Sequence, residues 1–378
     1  MRILFVNEYS TARAVSGAEY STQALAEALK VEIFSPPWKK NQLGKSLAPF
    51  WFNNPIYWFY SGYQIEKEIR AKKIDVIHVH GKYIQPGAVM AGRLTKTPVV
   101  TTVRDFKFLC PLALCFLHGR KKCTWGHFLF SEIPEFLSRY STVSWWGKPW
   151  LTVRLLAAKV MQIKMKWFLN KSDQVIAVSP QLKKIYEDAG VRRVVSIYNL
   201  PPTRQDRGYS PQKIKTLLSV GKLSYGKGTD SLIEAMKSIP PVKLILAGDI
   251  NSSLKVKFPK NIQYLGKLSH QETLKLYGKA SAFVINSRWP EPLSRAGLEA
   301  LSYGLPIIAS NRGGNQELIK DNGFLVNPDS PREIAKAINE ALKQAEALSK
   351  NSLKLLTTRF NREKIINKHL ELYQSLIK

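Results

Sequence analysis

Residues Phe283–Ala309 read FVINSRWPEPLSRAGLEALSYGLPIIA. An apolar run, Phe283–Ile285, gives way to polar Asn286. An irregular turn follows, in which Pro290 and Pro292 bracket Glu291. Helical spacing takes over near Leu293 or Ser294 and lasts to Gly304, and a second β-branched run, Pro306–Ala309, closes the stretch. Short continuous apolar runs mark strands buried on both faces, and a helix between two of them makes a parallel βαβ unit. This stretch therefore sets the class as α/β with a parallel sheet.

The same alternation extends outward in both directions. Toward the N-terminus lie the runs Ile3–Val6, Val76–Val79, Val99–Val103, Val175–Val178 and Val194–Ile197. Around the opening stretch lie Leu217–Val220, Leu244–Ala247 and Phe324–Val326. Helical spacing falls between them at Ser21–Leu29, Ser231–Lys237, His270–Lys279 and Arg332–Ala347, and again at Phe360–Ile377. The pattern occurs twice, so the expectation is two doubly wound Rossmann-like domains. A polar stretch with three prolines, residues 199–211, marks the junction. The expected division is 1–200, 201–358, and a final helix over 359–378 that packs back on the N-terminal domain.

The chain has 378 residues, with 57 Lys and Arg against 28 Asp and Glu, a net charge of +29. The excess is spread over both halves, so the implied partners are phosphates, nucleic acid or an anionic membrane surface. Ordinary glycine and proline contents, 22 and 21, exclude collagen-like and low-complexity classes. Three cysteines, all between positions 110 and 123, do not make a secreted disulfide framework and suit a reducing cytosol. The N-terminal apolar run is too short for a signal-peptide core, and no run is long enough to span a bilayer.

Two segments stand outside the alternation. Residues 36–63 are crowded with aromatics. Residues 136–172 carry no acidic side chain but hold Trp145, Trp146, Trp150 and Trp167 among seven basic residues. Aromatics beside cations suit a membrane interface. At 100° per residue the basic side chains after Trp150 do not gather on one stripe, so a core-packing insertion and a membrane contact both remain open.

The chemistry concentrates at strand ends. Glu291 sits where a helix N-terminus offers free N–H groups and a favourable dipole, with Glu299 about two turns on. A carboxylate there can accept hydrogen bonds from sugar hydroxyls. Val220–Thr229 (VGKLSYGKGT) nearly matches the P-loop pattern, but Gly228 stands where the magnesium-binding hydroxyl is required. What remains is a glycine turn at Gly221 with two cations, Lys222 and Lys227. With no D-x-D triplet anywhere, the expectation is a diphosphate site that needs no metal. Gly17 opens a helix where backbone can approach a ligand closely. The turn Arg312–Glu317 follows another strand. Cys110, Cys115, His118, Cys123 and His127 lie close together, five potential ligands for zinc but without paired C-x-x-C spacing; a zinc site and a set of unrelated thiols and loop histidines both remain open, and no metal is assigned.

Taken together, these residues resemble glycosyltransferase family 4, whose GT-B architecture has two Rossmann-like domains facing across a cleft. The resemblance covers nearly the whole chain. It rests on the E-x7-E pair Glu291 and Glu299, on Ser16–Glu19, Val220–Gly228, Ala247–Asp249 and Gly313–Glu317, and on DVIHVHG (75–81) and TTVRDFKFLCP (101–111).

The resemblance implies a retaining transferase that takes sugar from a UDP- or GDP-sugar without a metal cofactor. It implies catalytic roles for Glu291, Lys227 and Lys222, the lysines neutralising the leaving diphosphate. Donor contacts would come from Gly17, Gly221, Leu268, Leu293, Ser294 and Glu299, the last binding ribose hydroxyls. Acceptor contacts would come from His80, Arg104 and Asp105. Three positions depart from the family pattern: Lys222 is more often arginine, Ser294 more often glycine, and Arg104 more often histidine. The charge and the tryptophans add an expectation of a lipid-linked or phosphorylated glycan acceptor, at the cytoplasmic face of the cell membrane, with no nucleic-acid partner. A P-loop-like NTPase and a non-enzymatic basic binder of nucleic acid or membrane are the alternatives.

Overall fold

The computed structural model describes residues 1–8, 17–36, 55–141, 143–205, 215–251 and 254–377. Residues 206–214 of the proline-rich junction, Ser16, and residues 37–54 of the first aromatic segment lie outside the described residues. The chain divides into two compact units, Met1–Pro134 with Val143–Leu200 and Glu363–Lys378, and Glu135–Thr142 with Pro201–Arg362. Residues 135–142 thus group with the second unit, which a linear division at position 200 misses.

In the first unit, β1 (Ile3–Val6), β2 (Ile33–Phe34), β3 (Val76–Val79), β4 (Val99–Val103), β5 (Gln174–Ala177) and β6 (Val194–Ser196) form a six-stranded sheet in the order β2-β1-β3-β4-β5-β6. In the second, β7 (Thr216–Val220), β8 (Lys243–Ala247), β9 (Ile262–Tyr264), β10 (Ala282–Ile285), β11 (Ile307–Ser310) and β12 (Gly323–Val326) form another, in the order β12-β11-β10-β7-β8-β9. Pairing is parallel throughout. Strands β3, β4 and β11 are buried at every position, which is why they show no polar alternation. The sequence pattern missed β2 and β9. They are edge strands of two and three residues, too short to show a period.

Each sheet reverses its direction of growth once, between β1 and β3 in the first and between β7 and β10 in the second. Loops at the carboxyl ends of the strands flanking such a reversal diverge to opposite faces and leave a crevice for ligands. The cores hold these loop ends in place. In the second unit Leu217, Leu244, Val284 and Ile308 of the sheet pack with Met236, Ile334 and Ile338 from helices Thr229–Lys237 and Pro331–Lys343. Each such side chain contributes about 1.5–3 kcal/mol by leaving water. In the first unit Val76, Val100 and Ile176 pack with Ile365 and Tyr373 of the final helix, Arg362–Leu376.

The helix expected over 332–347 is instead two, Pro331–Lys343 and Ala345–Thr358. No glycine or proline breaks it. Gln344 leaves the helical region (φ −102°, ψ 16°), and the second helix buries Leu348, Leu355 and Leu356. Packing decides the break, so local sequence did not show it.

The Lys148–Leu169 helix is patterned inside out. It buries Lys159 and Gln162 along with Leu155, Met165 and Leu169, and it exposes Trp150, Val153, Val160, Ile163 and Trp167. At 100° per residue those five exposed residues fall on one stripe. The stacked pair Trp145 and Trp146, 65% and 74% exposed, precedes it. The periodicity of this helix is carried by its apolar side chains and not by its cations.

Candidate active site

The loops after β7 and β10, at the reversal of the second sheet, are fitted closely to one another. Gly228 has φ 61°, and a Cβ there would lie 2.1 Å from the Asn286 carbonyl oxygen. Gly313, after β11, has φ 58° and leaves only 2.4 Å for a Cβ beside Pro290. The Gly314 N–H donates to the Glu291 carbonyl (2.6 Å). Arg288 joins the pieces. Its Nη1 and Nη2 reach both Asp230 oxygens (2.6 and 3.0 Å), its Nε reaches Asp329 (2.5 Å), and its guanidinium lies 4.1 Å over the Tyr225 ring. Three loops are thereby locked into one cradle. Arg288 had no motif to reveal it, because its partners stand far away in sequence.

Inside the cradle, Glu291 Oε1 accepts hydrogen bonds from Ser287 Oγ (2.8 Å) and from Lys227 Nζ. The two residues expected to serve sugar and phosphate separately are thus a direct ion pair, with Glu291 the better shielded partner. The pairing orients the carboxylate and leaves the lysine half exposed. Lys222 and Gly221 are exposed at the end of β7. Ser294, expected near the first helical turn, is the N-cap itself: its Oγ accepts from the Gly297 N–H (3.1 Å), and the helix runs Arg295–Ser302. Leu293 is buried just before it.

Glu299 lies deeper, its side chain 6% exposed. Oε1 meets His270 Nε2 (3.0 Å) and Arg295 Nε (3.3 Å), and Oε2 accepts from the Tyr277 hydroxyl (3.0 Å). Burial pushes its pKa up, but the His270 hydrogen bond, the Arg295 charge and the Tyr277 hydrogen bond outweigh it and hold the carboxyl below the usual range. Glu299 is therefore an anion already served by three internal donors, which limits the capacity expected of it for ribose. Arg295 could have been read from its i, i+4 spacing to Glu299. His270 and Tyr277 could not. Leu268, half-buried, stands just before Ser269, whose side chain caps the His270–Tyr277 helix.

The first unit has its own cluster at the carboxyl ends of β1, β3 and β4. Arg104 Nη1 donates to His80 Nδ1 (3.0 Å) and to Thr22 Oγ1 (3.2 Å), and its Nε donates to Asn199 (3.1 Å). Burial above all, with the Arg104 charge beside it, holds His80 well below its usual pKa, so the ring is neutral. A guanidinium only donates, so Nδ1 must accept and the proton resides on Nε2. That Nε2 is buried and has no hydrogen-bond partner among the described residues. Asp105 is occupied differently: Oδ1 accepts from the Lys107 N–H (2.8 Å) and Oδ2 faces Lys82 (3.5 Å). Glu8, which no motif marked, accepts from the N–H groups of Tyr83 and Ile84 (the latter at 3.4 Å), at the N-terminus of helix Gln85–Thr95. Gly17 is exposed and opens helix Gly17–Leu29.

The cysteines are not unrelated. Cys110, Cys115 and Cys123 converge with Glu132, whereas His118 and His127 pair with each other (3.0 Å).

Residues 203–354 match the family model described as glycosyl transferases group 1, and residues 15–200 match that of glycosyltransferase family 4. The chain is 30% identical over 194 residues to spore coat protein SA of Bacillus subtilis, covering 45% of this chain and 51% of that protein. It is 25% identical over 229 residues to the lipopolysaccharide core biosynthesis glycosyltransferase LpsE of Rhizobium meliloti, covering 56% of this chain and 67% of that one. The chain thus spans about half the length of the first of these relatives. Among solved structures, Anabaena HepE in complex with UDP and glucose superposes with a TM-score of 0.68 at 20% identity, over 99% of this chain and 100% of that one.

Proposed function

This chain belongs to the family 4 glycosyltransferases, and on that premise we propose that it moves a sugar, with retention of configuration, from a nucleoside diphosphate sugar to a lipid-linked or phosphorylated glycan. The observation that carries the proposal is the Lys227–Glu291–Ser287 group at the reversal point of the second sheet. Glu291 would accept hydrogen bonds from the hydroxyls of the donor sugar. Lys222 and Lys227 would face the diphosphate, with the N–H groups before the Arg295–Ser302 helix beside it. In transfer, the bond from the anomeric carbon to phosphate breaks and the diphosphate leaves with the electron pair. The acceptor oxygen bonds to that carbon from the same face, and its proton passes to the departing phosphate oxygen. Fixed cations and N–H dipoles stabilise the charge that develops on the leaving group. No metal is assigned to this step.

UDP is the first donor to test, because the superposing Anabaena protein binds it. For the acceptor, the support lies in the first unit. His80 offers a buried Nε2–H donor, held in that tautomer by Arg104, suited to an acceptor oxygen. The exposed Trp stripe, flanked by Arg154, Lys164 and Lys171, suits an anionic lipid surface at the cytoplasmic face, and Lys171 lies 5.1 Å over the Trp167 ring. Relatedness to a lipopolysaccharide transferase points the same way. The NTPase alternative is not favoured, since Gly228 stands where the magnesium-binding hydroxyl is required.

The test is thermal stabilisation by UDP, GDP, ADP and their sugar conjugates, with EDTA present, in the native chain and in Glu291→Gln. Selective stabilisation by one base, with the sugar conjugate losing its added effect in Glu291→Gln, is expected. No response to any nucleotide would overturn the reading.

A further inference from the structure

We propose that Cys110, Cys115, Cys123 and Glu132 hold one zinc ion as a structural site. The three Sγ atoms and a Glu132 carboxylate oxygen all lie within 4.8 Å of one another. A tetrahedral zinc with Zn–S near 2.3 Å sets its sulfurs about 3.8 Å apart, within that span. Multinuclear iron–sulfur clusters hold their thiolates further apart, so the span fits a single ion.

The environment suits a cation better than it suits the four side chains alone. Glu132 is fully buried (0% exposed), and its partners are the thiols of Cys110 (2.9 Å) and Cys123 (3.2 Å) and the Cys115 N–H. Thiols are weak donors, poor compensation for a carboxylate taken out of water. A divalent ion would supply that compensation, displacing the thiol protons as it binds.

The shell around the ligands is in place. The Ala113 N–H donates to Cys110 Sγ (3.1 Å). Lys159, 3% exposed, directs Nζ to both the sulfur and the carbonyl oxygen of Cys123 (2.9 Å each). This explains why the Lys148–Leu169 helix turns a lysine inward, since the ammonium offsets part of the excess charge of three thiolates and a carboxylate. Glu132 arrives by way of a π-helical turn, Phe128–Glu132, a local irregularity that often accompanies functional sites. With four protein ligands and none open, the site would be structural, tying the excursion from Cys110 to Glu132 to the helix that carries the exposed tryptophans.

The full-length chain, purified under reducing conditions, should carry about one zinc per chain by elemental analysis. Replacement by Co²⁺ should give thiolate-to-cobalt charge transfer in the near ultraviolet and strong tetrahedral bands in the visible. Cys123→Ser, at the half-exposed position, should lose the metal. Glu132→Gln should keep the charge transfer but shift the visible bands. Lys159→Met, which removes no ligand, should weaken zinc about 10- to 100-fold. His118→Ala should leave the content unchanged. A reduced, folded chain that takes up neither zinc nor cobalt would overturn the proposal, as would full zinc retention by Cys123→Ser, loss in His118→Ala, or cobalt bands in Glu132→Gln identical to the native ones.

Discussion

The loop after β10 and the loop after β4 leave equivalent places, the carboxyl ends of interior strands, yet they are built in opposite ways. The first runs from Asn286 to the cap at Ser294 and holds Ser287, Arg288 and Glu291 within a few residues. The second begins at Arg104 and does not return to a long helix until Lys148. Its groups find partners far along the chain: Arg104 with His80 and Asn199, Cys110 with Glu132, Cys123 with Lys159. A compact loop can write its chemistry as a motif, whereas a long excursion assembles chemistry through folding. The compact loop should therefore fail sharply under single substitutions, and the excursion should fail through its scaffold.

The sharpest break should come at the compact loop. Lys227→Ala removes both the cation proposed to face the diphosphate and the partner that orients Glu291, and sugar transfer should fall by about 10²–10³ in kcat/KM. Because the two side chains form one unit, the double variant with Glu291→Gln should lose far less than the product of the single losses. Donor-consumption kinetics on the four proteins of that cycle check this. Multiplicative losses would mean that the ion pair has no part in the function.

A second contrast is acid sensitivity. Around the excursion, burial above all keeps His78, His80 and His369 neutral, with His369 pushed down to about 3. An unfolded histidine takes up its proton near pH 6.5, while these do not, so stability is intact above that pH and is lost as pH falls toward their depressed values. His369 alone would cost about 2 kcal/mol by pH 5, at about 1.4 kcal/mol per pH unit. Glu299 in the second unit has a depressed carboxyl, so its contribution persists until pH drops below the unfolded value of 4.5. Hydrogen exchange at pH 7 and pH 5 should show the Arg362–Leu376 helix and β3, which bring these histidines together, loosening while the second unit stays protected. Loss of protection in both units together would remove the contrast.

What could be read from the sequence follows the same division. The strand–helix alternation and the Glu291 turn were legible because their causes are local: continuous burial of β10 and β11, and two prolines around one carboxylate. The convergence of Cys110, Cys115 and Cys123 on Glu132 was not, since their spacings match no common metal motif and Glu132 is delivered by a π-helical turn. His270 and Tyr277 reach Glu299 only through tertiary packing, and the Lys159 and Gln162 side chains make the helix look unpatterned until their buried partners are known.

The exposed stripe offers a milder test. Trp146→Ser with Trp167→Ser removes two exposed rings, so folding stability should change by no more than about 0.5 kcal/mol for each. Flotation with anionic vesicles should fall several-fold, and Lys164→Glu should weaken it further at low salt than at high salt. Unchanged flotation would place the lipid contact elsewhere on this basic chain.

The smallest effect tests whether the compact loop is tuned for stability as well as chemistry. The family resemblance puts glycine more often at position 294; here the Ser294 Oγ accepts the Gly297 N–H at 3.1 Å. That bond satisfies one of the first-turn donors that a helix cannot satisfy internally. Ser294→Ala should lower stability by about 1 kcal/mol, while Ser294→Gly should cost only a few tenths, because glycine leaves the N–H groups open to water. Denaturant midpoints distinguish the two. If the glycine variant also binds a nucleoside diphosphate more tightly, the hydroxyl competes with the ligand for the same N–H groups, and the serine trades binding for a better-closed helix end. If binding is unchanged, the cap and the anion site use different donors, and the short loop carries both independently.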